Sequence, residues 1–332
     1  MSKANYSILA YLTKFREAGL LGFIVLIALL IQLRSPVFFT MGNLTDLLIN
    51  TAILSILAVG MMLVIITRGI DLSIGSTLAL SGMTVAMLVS SDNGLNPVMA
   101  ILLGILIGAI CGVLIGFLVA KLNILPIIAT LAAMFIFRGM TFTISDGSWI
   151  SAHQMPAEFL ELGRGTLFGV NYLVLIAIVI YALFSYFLNH TRTGRQIYAL
   201  GSNPESAKVS GISSTKIYLL VYSLMGALAG LAGVLWVARF ASAQGDTATG
   251  FEMNVIAACI LGGVAISGGS GKLSGVLLGS LLIGIMNNAL PLLGISPFWQ
   301  TGIQGFIILF AVITNTYVKR SVEHSQLLRR QI

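Results

Sequence analysis

Polar residues in this chain fall in short clusters. Between them lie stretches without Lys, Arg, Asp or Glu: 18–33, 47–67, 72–91, 93–120, 122–137, 166–191, 217–236, 253–271 and 273–318. A helix crossing a bilayer needs about 20 apolar residues. Each stretch therefore predicts one span, and the last predicts two because Pro291, Gly294 and Pro297 mark a turn inside it. The expected spans are 19–33, 47–67, 72–90, 98–119, 124–142, 170–188, 217–238, 253–266, 274–292 and 298–317. No linker divides them, so the pattern predicts an all-α polytopic membrane fold in one transmembrane domain over residues 1–332.

Glycine spacing adds a second layer. Gly104, Gly108, Gly112 and Gly116 recur every four residues, followed by Pro126; Gly275, Gly279 and Gly284 are followed by Pro291 and Pro297. In lipid, small residues let helix backbones approach and gain dispersion contacts, so close packing is the plain reading and a glycine-lined path the rarer one. The two glycine-bearing helix pairs are expected in opposite orientations, which makes spans two to five and seven to ten a candidate inverted repeat.

Two hydrophilic interruptions stand out. One, 143–169, carries Asp146, Glu158, Glu161 and Arg164, with Trp149 and Phe159 for packing. The other, 189–216, sets Arg192, Arg195, Lys208 and Lys216 against Glu205 alone. With the N-terminus inside, 14 of the 18 Lys and Arg residues face the cytoplasm and only Arg34, Arg138, Arg164 and Arg239 lie outward. The orientation expected is therefore a cytoplasmic loop at 189–216, an external loop at 143–169 and both termini cytoplasmic.

Composition agrees. Of 332 residues, 57% are hydrophobic and 9% charged, with a mean hydropathy of +1.00; soluble domains carry about 25% charged residues. The net charge of +7 reads as topology and attraction to anionic lipid, and does not point to nucleic acid. No small-residue cleavage site follows the first apolar run, so 18–33 is expected as a retained span. Cys111 and Cys259 sit in apolar stretches as small hydrophobes, and no metal-ligand or disulfide spacing is present.

Candidate chemistry is sparse. GGSGK at 268–272 lacks the Walker spacing, since Ile266 and Leu273 stand where Gly and Ser or Thr are needed. It reads as a flexible turn, and any ATP must be hydrolysed on a separate subunit. Gly69, Asp71 and Ser73 join two spans, with Gly69 turning the chain and Asp71 capping the next helix through the N–H of Ser73 or Ile74; an ion or substrate ligand there is the remoter reading. Arg138 is the basic residue well inside a span. It requires a partner, Asp146 or Glu252, or it snorkels to the headgroups. Arg138 with Glu252 is the candidate outer gate.

Asn50, Thr51, Thr67, Thr84, Thr130, Asn254, Asn287, Asn288, Gln300 and Gln304 are polar positions within spans. They serve as interhelical hydrogen bonds or face a neutral hydroxylated ligand. Phe251, Asn254 and Trp299 are the candidate substrate path, the aromatic pair doubling as interfacial anchors. His153, His190 and His324 all fall in loops or tail, which leaves no nucleophile–base cluster for an intramembrane enzyme. Every acid lies at or near a span end, which argues against an ion-coupled carrier. At 203–212, Asn203, Pro204, Glu205, Ser206 and Ala207 followed by Gly211 and Ile212 predict a short polar helix with a glycine stop. A rigid helix standing off a membrane bundle is a lever for a docked partner. A connector of 28 residues also exceeds the usual helix–helix link of about 2–8.

AVGMMLVIITRGIDLSIGS (58–76), IATLAAMFIFRGM (128–140), TRTGRQIYALGSNPESAKVSGI (191–212) and GFEMNVIAACILGGVAISGGSGKLSG (250–275) resemble the ribose-type permeases of bacterial carbohydrate ABC importers. The resemblance covers nearly the whole chain. It implies a permease domain without a cofactor in the bacterial inner membrane, working as a homodimer with a cytoplasmic ABC ATPase and a periplasmic sugar-binding protein. It also implies that Asn203–Ile212 is the coupling helix seated on the ATPase. Ser206 stands where the importer loop prefers Ala, and Asn254-Val255 where the family often has Asp-Ala. The loop SDGSWISAHQMP (145–156) departs from typical ribose permeases, so allose, another pentose or hexose, and autoinducer-2 stay open beside ribose.

Overall fold

The computed structural model describes residues 16–90 and 94–296, with 299, 302, 303, 305, 306, 309 and 313 beyond them. Apart from those seven positions, the expected tenth span lies outside the described residues. So do Lys3, Lys14, Gln300, Gln304, His324 and the basic residues of the tail.

The described residues are helical almost throughout, as the apolar pattern requires. Helices α1 (Arg16–Arg34), α2 (Met41–Ile66), α4 (Pro97–Ala120), α5 (Pro126–Ser145), α7 (Tyr172–His190), α10 (Ser214–Phe240) and α12 (Leu273–Leu292) are seven helices long and apolar enough to cross a membrane. Helix α2 is apolar all round and therefore central. Its residues from Thr51 to Ile66 are buried, and α12, α10, α7 and α11 (Phe251–Leu261) pack around it. Helices α1, α4, α5 and α7 instead present exposed Leu, Ile, Val and Phe on their outer sides, which is the surface a lipid-facing helix needs.

The glycine ladder of α4 lies face to face with α10. Gly104, Gly108 and Gly112 abut the backbone of Gly230, Gly226 and Tyr222, so closely that any side chain there would collide with backbone. On α12, Gly275 and Gly279 meet Gly262 and Ala258 in the same manner. The ladders are helix-packing devices, as expected from their spacing.

The third and eighth expected spans take a different form. Helix α3 (Ile74–Val89) has 16 residues and α11 has 11, lengths of about 24 and 16 Å, short of the roughly 30 Å hydrocarbon core. Each is preceded by non-helical chain, 67–73 before α3 and 241–250 before α11. The hydropathy of those segments matches that of a helix, so the apolar pattern alone runs through the breaks. A long helix, a break, a short helix and a small-residue helix thus occur twice, as α2, 67–73, α3, α4 and as α10, 241–250, α11, α12. The two sets run in opposite directions. The C-terminus of α2 reaches the polar loop through Arg68, which bonds to Gly201 and Ser202, whereas α10 starts from that loop.

The polar loop 191–213 folds as two short helices, α8 (Arg192–Ser202) and α9 (Pro204–Val209). At the other face, the 146–171 segment is also ordered. Strand β1 (Ile150–Ser151) pairs antiparallel with β4 (Ser242–Ala243), and β2 (Thr166–Leu167) pairs with β3 (Val170–Asn171). Helix α6 (Ala157–Arg164) buries Phe159 in a cluster with Val234, Val237 and Ala238 of α10. Trp149 remains exposed. Glu17, in the first turn of α1, pairs with Lys272 at 3.2 Å, which puts the start of α1 beside the turn 265–272.

Candidate functional site

Three places bring polar groups together within the bundle. The first is where the polar loop meets the bundle. Helix α8 begins with Thr191, whose Oγ1 accepts from the N–H of Gly194 at 3.0 Å, and α9 begins with Asn203, whose Oδ1 accepts from Ser206 N–H at 3.0 Å. Pro204 sits at the first helical position of α9 and Gly211, at φ 78°, ends the turn after it, as proline and glycine do at helix ends. Ala207 is buried against the bundle, while Glu205 and Lys208 stay exposed.

The bundle holds this loop by its backbone. Arg68 donates from Nε to Gly201 O and from a terminal guanidinium nitrogen to Ser202 O, both at 2.7 Å. The N–H of Gly269 donates to Ile66 O at 2.9 Å, and Tyr198 donates its hydroxyl to Gly271 O at 2.9 Å. Burial pushes the Tyr198 phenol above its usual pKa, so it stays a neutral donor. Gly201 packs directly on Ile66 O, leaving no room for a side chain. The GGSGK segment is therefore a pinned element of this junction, where sequence suggests a free turn. Arg68 and Gly201 carry no recognisable site signature. The acceptors are main-chain carbonyls, which a sequence does not display.

The second place is the pair of breaks. Asp71 Oδ1 accepts from Ser73 N–H at 2.8 Å and from Ser73 Oγ at 2.6 Å, and Asp71 is 2% exposed. Gly69 lies against the hydroxyl of Tyr222, eight residues into α10, or about 12 Å along its axis. Asp71 is thus well inside the bundle. Glu252, 9% exposed and in the first turn of α11, packs on the start of α3: a Cβ added at Gly75 would lie 2.8 Å from Glu252 Oε2 and 2.6 Å from Ala248 O. The short helices α3 and α11 therefore begin beside each other, deep in the protein. This corrects the placement of acids near span ends. Once the breaks are folded inward, two carboxyl groups are interior.

Helix α5 stitches both breaks. Thr130 donates to Ile70 O at 3.2 Å, and Arg138, two turns on, donates to Gly245 O at 2.8 Å and Thr247 O at 2.7 Å. Non-helical backbone at membrane depth needs internal partners for its carbonyls, and these two side chains supply them. Arg138 spends its bonds on carbonyls of the second break. Glu252 and Asp246 are the nearest opposing charges acting on it, with no ion pair to either within 4 Å.

The third place is a cavity of about 130 Å³ between α2, α10, α11 and α12, lined in part by Asn50, Trp236, Phe240, Phe251, Asn287 and Asn288. Phe251 is thus in a cavity wall. Asn254 lies one turn along α11 and is half-buried, outside that lining, and Trp299 is 68% exposed. Among the described residues, no group of three or more His, Cys, Asp or Glu could hold a metal ion.

An interior break pair, a backbone-pinned surface helix and a small polar cavity are features of a transport protein, and comparison with known proteins agrees. Residues 43–312 match the family described as branched-chain amino acid transport system / permease component. The chain belongs to this permease family. It is 42% identical over 310 residues to the ribose import permease protein RbsC of Escherichia coli (strain K12), covering 92% of this chain and 96% of the relative. The ribose import permease protein RbsC of Bacillus subtilis (strain 168) is 42% identical over 293 residues, 88% of this chain and 90% of that one. The L-arabinose transport system permease protein AraH of Escherichia coli (strain K12) is 36% identical over 286 residues, 86% of each. No solved structure matches the chain significantly. The permease is a multi-pass membrane protein and a transport subunit, not an enzyme.

Proposed function

We propose that this chain is the membrane-spanning subunit of an ATP-driven importer of a monosaccharide, ribose-like in class. The supporting observation is the junction of Arg68, Gly201 and Gly269, which ties α8, and α9 after it, to the first break and to the turn 265–272. A displacement of α9 is delivered through Arg68 to 69–73 and through 265–272 to α11 and α12. A partner on α9 can therefore bias the interior of the permease. The names of its relatives, ribose and arabinose permeases, support a pentose.

In this reading α8 and α9 face the cytoplasm of a bacterial inner membrane, with both termini on that side. Asn203, Pro204, Glu205, Ser206, Ala207, Gly211 and Ile212 seat on an ABC ATPase. A periplasmic sugar-binding protein docks at the opposite face, on the 143–169 loop, and two copies of the permease form a homodimer in lipid. Arg138 and Glu252 gate the outer side by holding the second break. The test is uptake of labelled D-ribose by proteoliposomes carrying permease, ATPase and binding protein. Uptake is expected only with ATP and all three proteins present. Uptake that persists when the ATPase is omitted overturns the reading.

A further inference from the structure

The cavity between α2, α10, α11 and α12 has a lining that lipid-facing packing does not call for. Trp236 stacks edge to face on Phe251, with ring centroids 5.1 Å apart, and lies 4.8 Å from Phe240. Facing this aromatic wall are the carboxamides of Asn50, Asn287 and Asn288, and among the described residues no charged side chain lines the space. Asn288 is engaged, exchanging hydrogen bonds of 3.1 and 2.9 Å with Asn43 two turns up α2. Asn50 has no hydrogen-bond partner among the described residues. Beside it, the buried hydroxyl of Thr51 also has none, and it presses on the backbone of Gly284, which forms part of the cavity wall.

A buried hydroxyl without a partner, as at Thr51, costs free energy that Ala or Val would not. Beside it the exposed amide of Asn50 is available to a ligand that enters the cavity. A carboxamide offers two donors and an acceptor, which matches the mixed donor and acceptor character of neighbouring hydroxyl groups. Aromatic edges and faces suit the C–H surface of a ring. The volume, about 130 Å³, is close to the roughly 150 Å³ cavity that accepts a single benzene ring. A charged ligand has no counter-charge among the lining residues, and an acyl chain would make no hydrogen bond to the Asn50 amide.

We propose that this cavity is a carbohydrate subsite that holds one neutral sugar ring against Trp236 and Phe251, with its hydroxyl groups on Asn50 and Asn287. The proposal rests on the importer reading above and adds where, within one permease copy, the sugar pauses. Asn50 is the informative position because it lines the cavity, is exposed, and its side chain has no hydrogen bond to another described residue.

The experiment compares the parental permease with Asn50→Leu and Asn50→Gln, each assembled with its ATPase and binding protein in proteoliposomes. D-ribose is the probe, uptake is measured over a range of sugar concentrations, and thermal unfolding of the purified permease runs in parallel. Asn50→Leu is expected to unfold no earlier than the parent, because the Asn50 side chain is exposed and bonds to no other described residue, while uptake falls at least tenfold. Asn50→Gln, which keeps the amide, is expected to recover part of the rate. Trp236→Phe is expected to weaken uptake less than Trp236→Leu. If Asn50→Leu transports like the parent, the subsite is wrong and the importer reading stands. If the parental complex imports no D-ribose, L-arabinose or D-allose, the importer reading itself falls.

Discussion

Arg68 adopts φ 66°, a left-handed conformation that costs a non-glycine residue about 1–2 kcal/mol. Strain of this sort persists only where the surroundings over-determine it, and here the guanidinium bonds to two carbonyls of α8, at Gly201 and Ser202. Arg68→Ala is expected to cut ATP-driven uptake at least tenfold while the ATPase still co-purifies with the permease. Arg68→Lys should rescue little, because one ammonium cannot reproduce two guanidinium bonds of fixed geometry. Parallel measurement of uptake and ATP hydrolysis checks this, and hydrolysis without matching transport is the expected signature. Arg138 poses the complementary case. Arg138→Met strands the carbonyls of Gly245 and Thr247, and is expected to destabilise the permease by about 2 kcal/mol, from the loss of two hydrogen bonds to a charged group. Glu252→Gln leaves those bonds intact and should unfold near the parental temperature. A charge swap between 138 and 252 would place a carboxylate against the same carbonyls, so thermal unfolding should show no rescue of stability.

At the scale of elements, α9 is the part whose role is most open to direct attack. Its outward side carries Glu205, Ser206 and Lys208, and Val209 is highly exposed, so a partner can reach it without disturbing the bundle. Glu205→Arg combined with Gly211→Trp reverses a charge and removes the positive-φ stop at 78°. The variant is expected to insert and fold, with less than a tenth of parental uptake and poor recovery of the ATPase on the permease. Normal uptake would show that α9 is not a docking element. The existence of this helix was legible in the residues, because Asn203, Pro204 and Gly211 are local signals that read the same in any context. The shortening of α3 to 16 residues and of α11 to 11 was not. Apolar residues line a membrane-depth break as densely as they line a helix, and only the tertiary hydrogen bonds from Thr130 and Arg138 reveal where the backbone leaves the helix. The cavity escaped for a different reason. Asn50, Trp236, Phe251 and Asn287 are individually visible as polar or aromatic positions, yet their convergence depends on α2 packing against three helices about 150 or more residues away in sequence.

For the whole molecule, the interior position of Asp71 and Glu252 reopens the question of what energises transport. Buried acids at membrane depth commonly mark proton or sodium pathways, and no argument from span ends now removes that possibility. The geometry answers differently for each residue. Asp71 is bonded to Ser73 by N–H and Oγ together, an arrangement that closes the turn into α3. Glu252 sits in the first turn of α11, where the positive helix end favours its charge. Both are therefore placed as structural anions of the two short helices. A driving force acts on a two-state permease only through a ligand that binds the two states unequally, and in the proposed importer that ligand is the ATPase docked on α9. Collapsing the proton and sodium gradients across proteoliposomes should leave D-ribose uptake unchanged so long as ATP is present. Asp71→Asn keeps an acceptor for Ser73 and should retain most ATP-driven uptake, whereas Asp71→Leu should lose it together with thermal stability, because the Ser73 N–H and hydroxyl are left unpaired. Uptake that follows an imposed pH gradient without ATP, and vanishes in Asp71→Asn, would instead make the two carboxyl groups a proton path and the permease a secondary carrier.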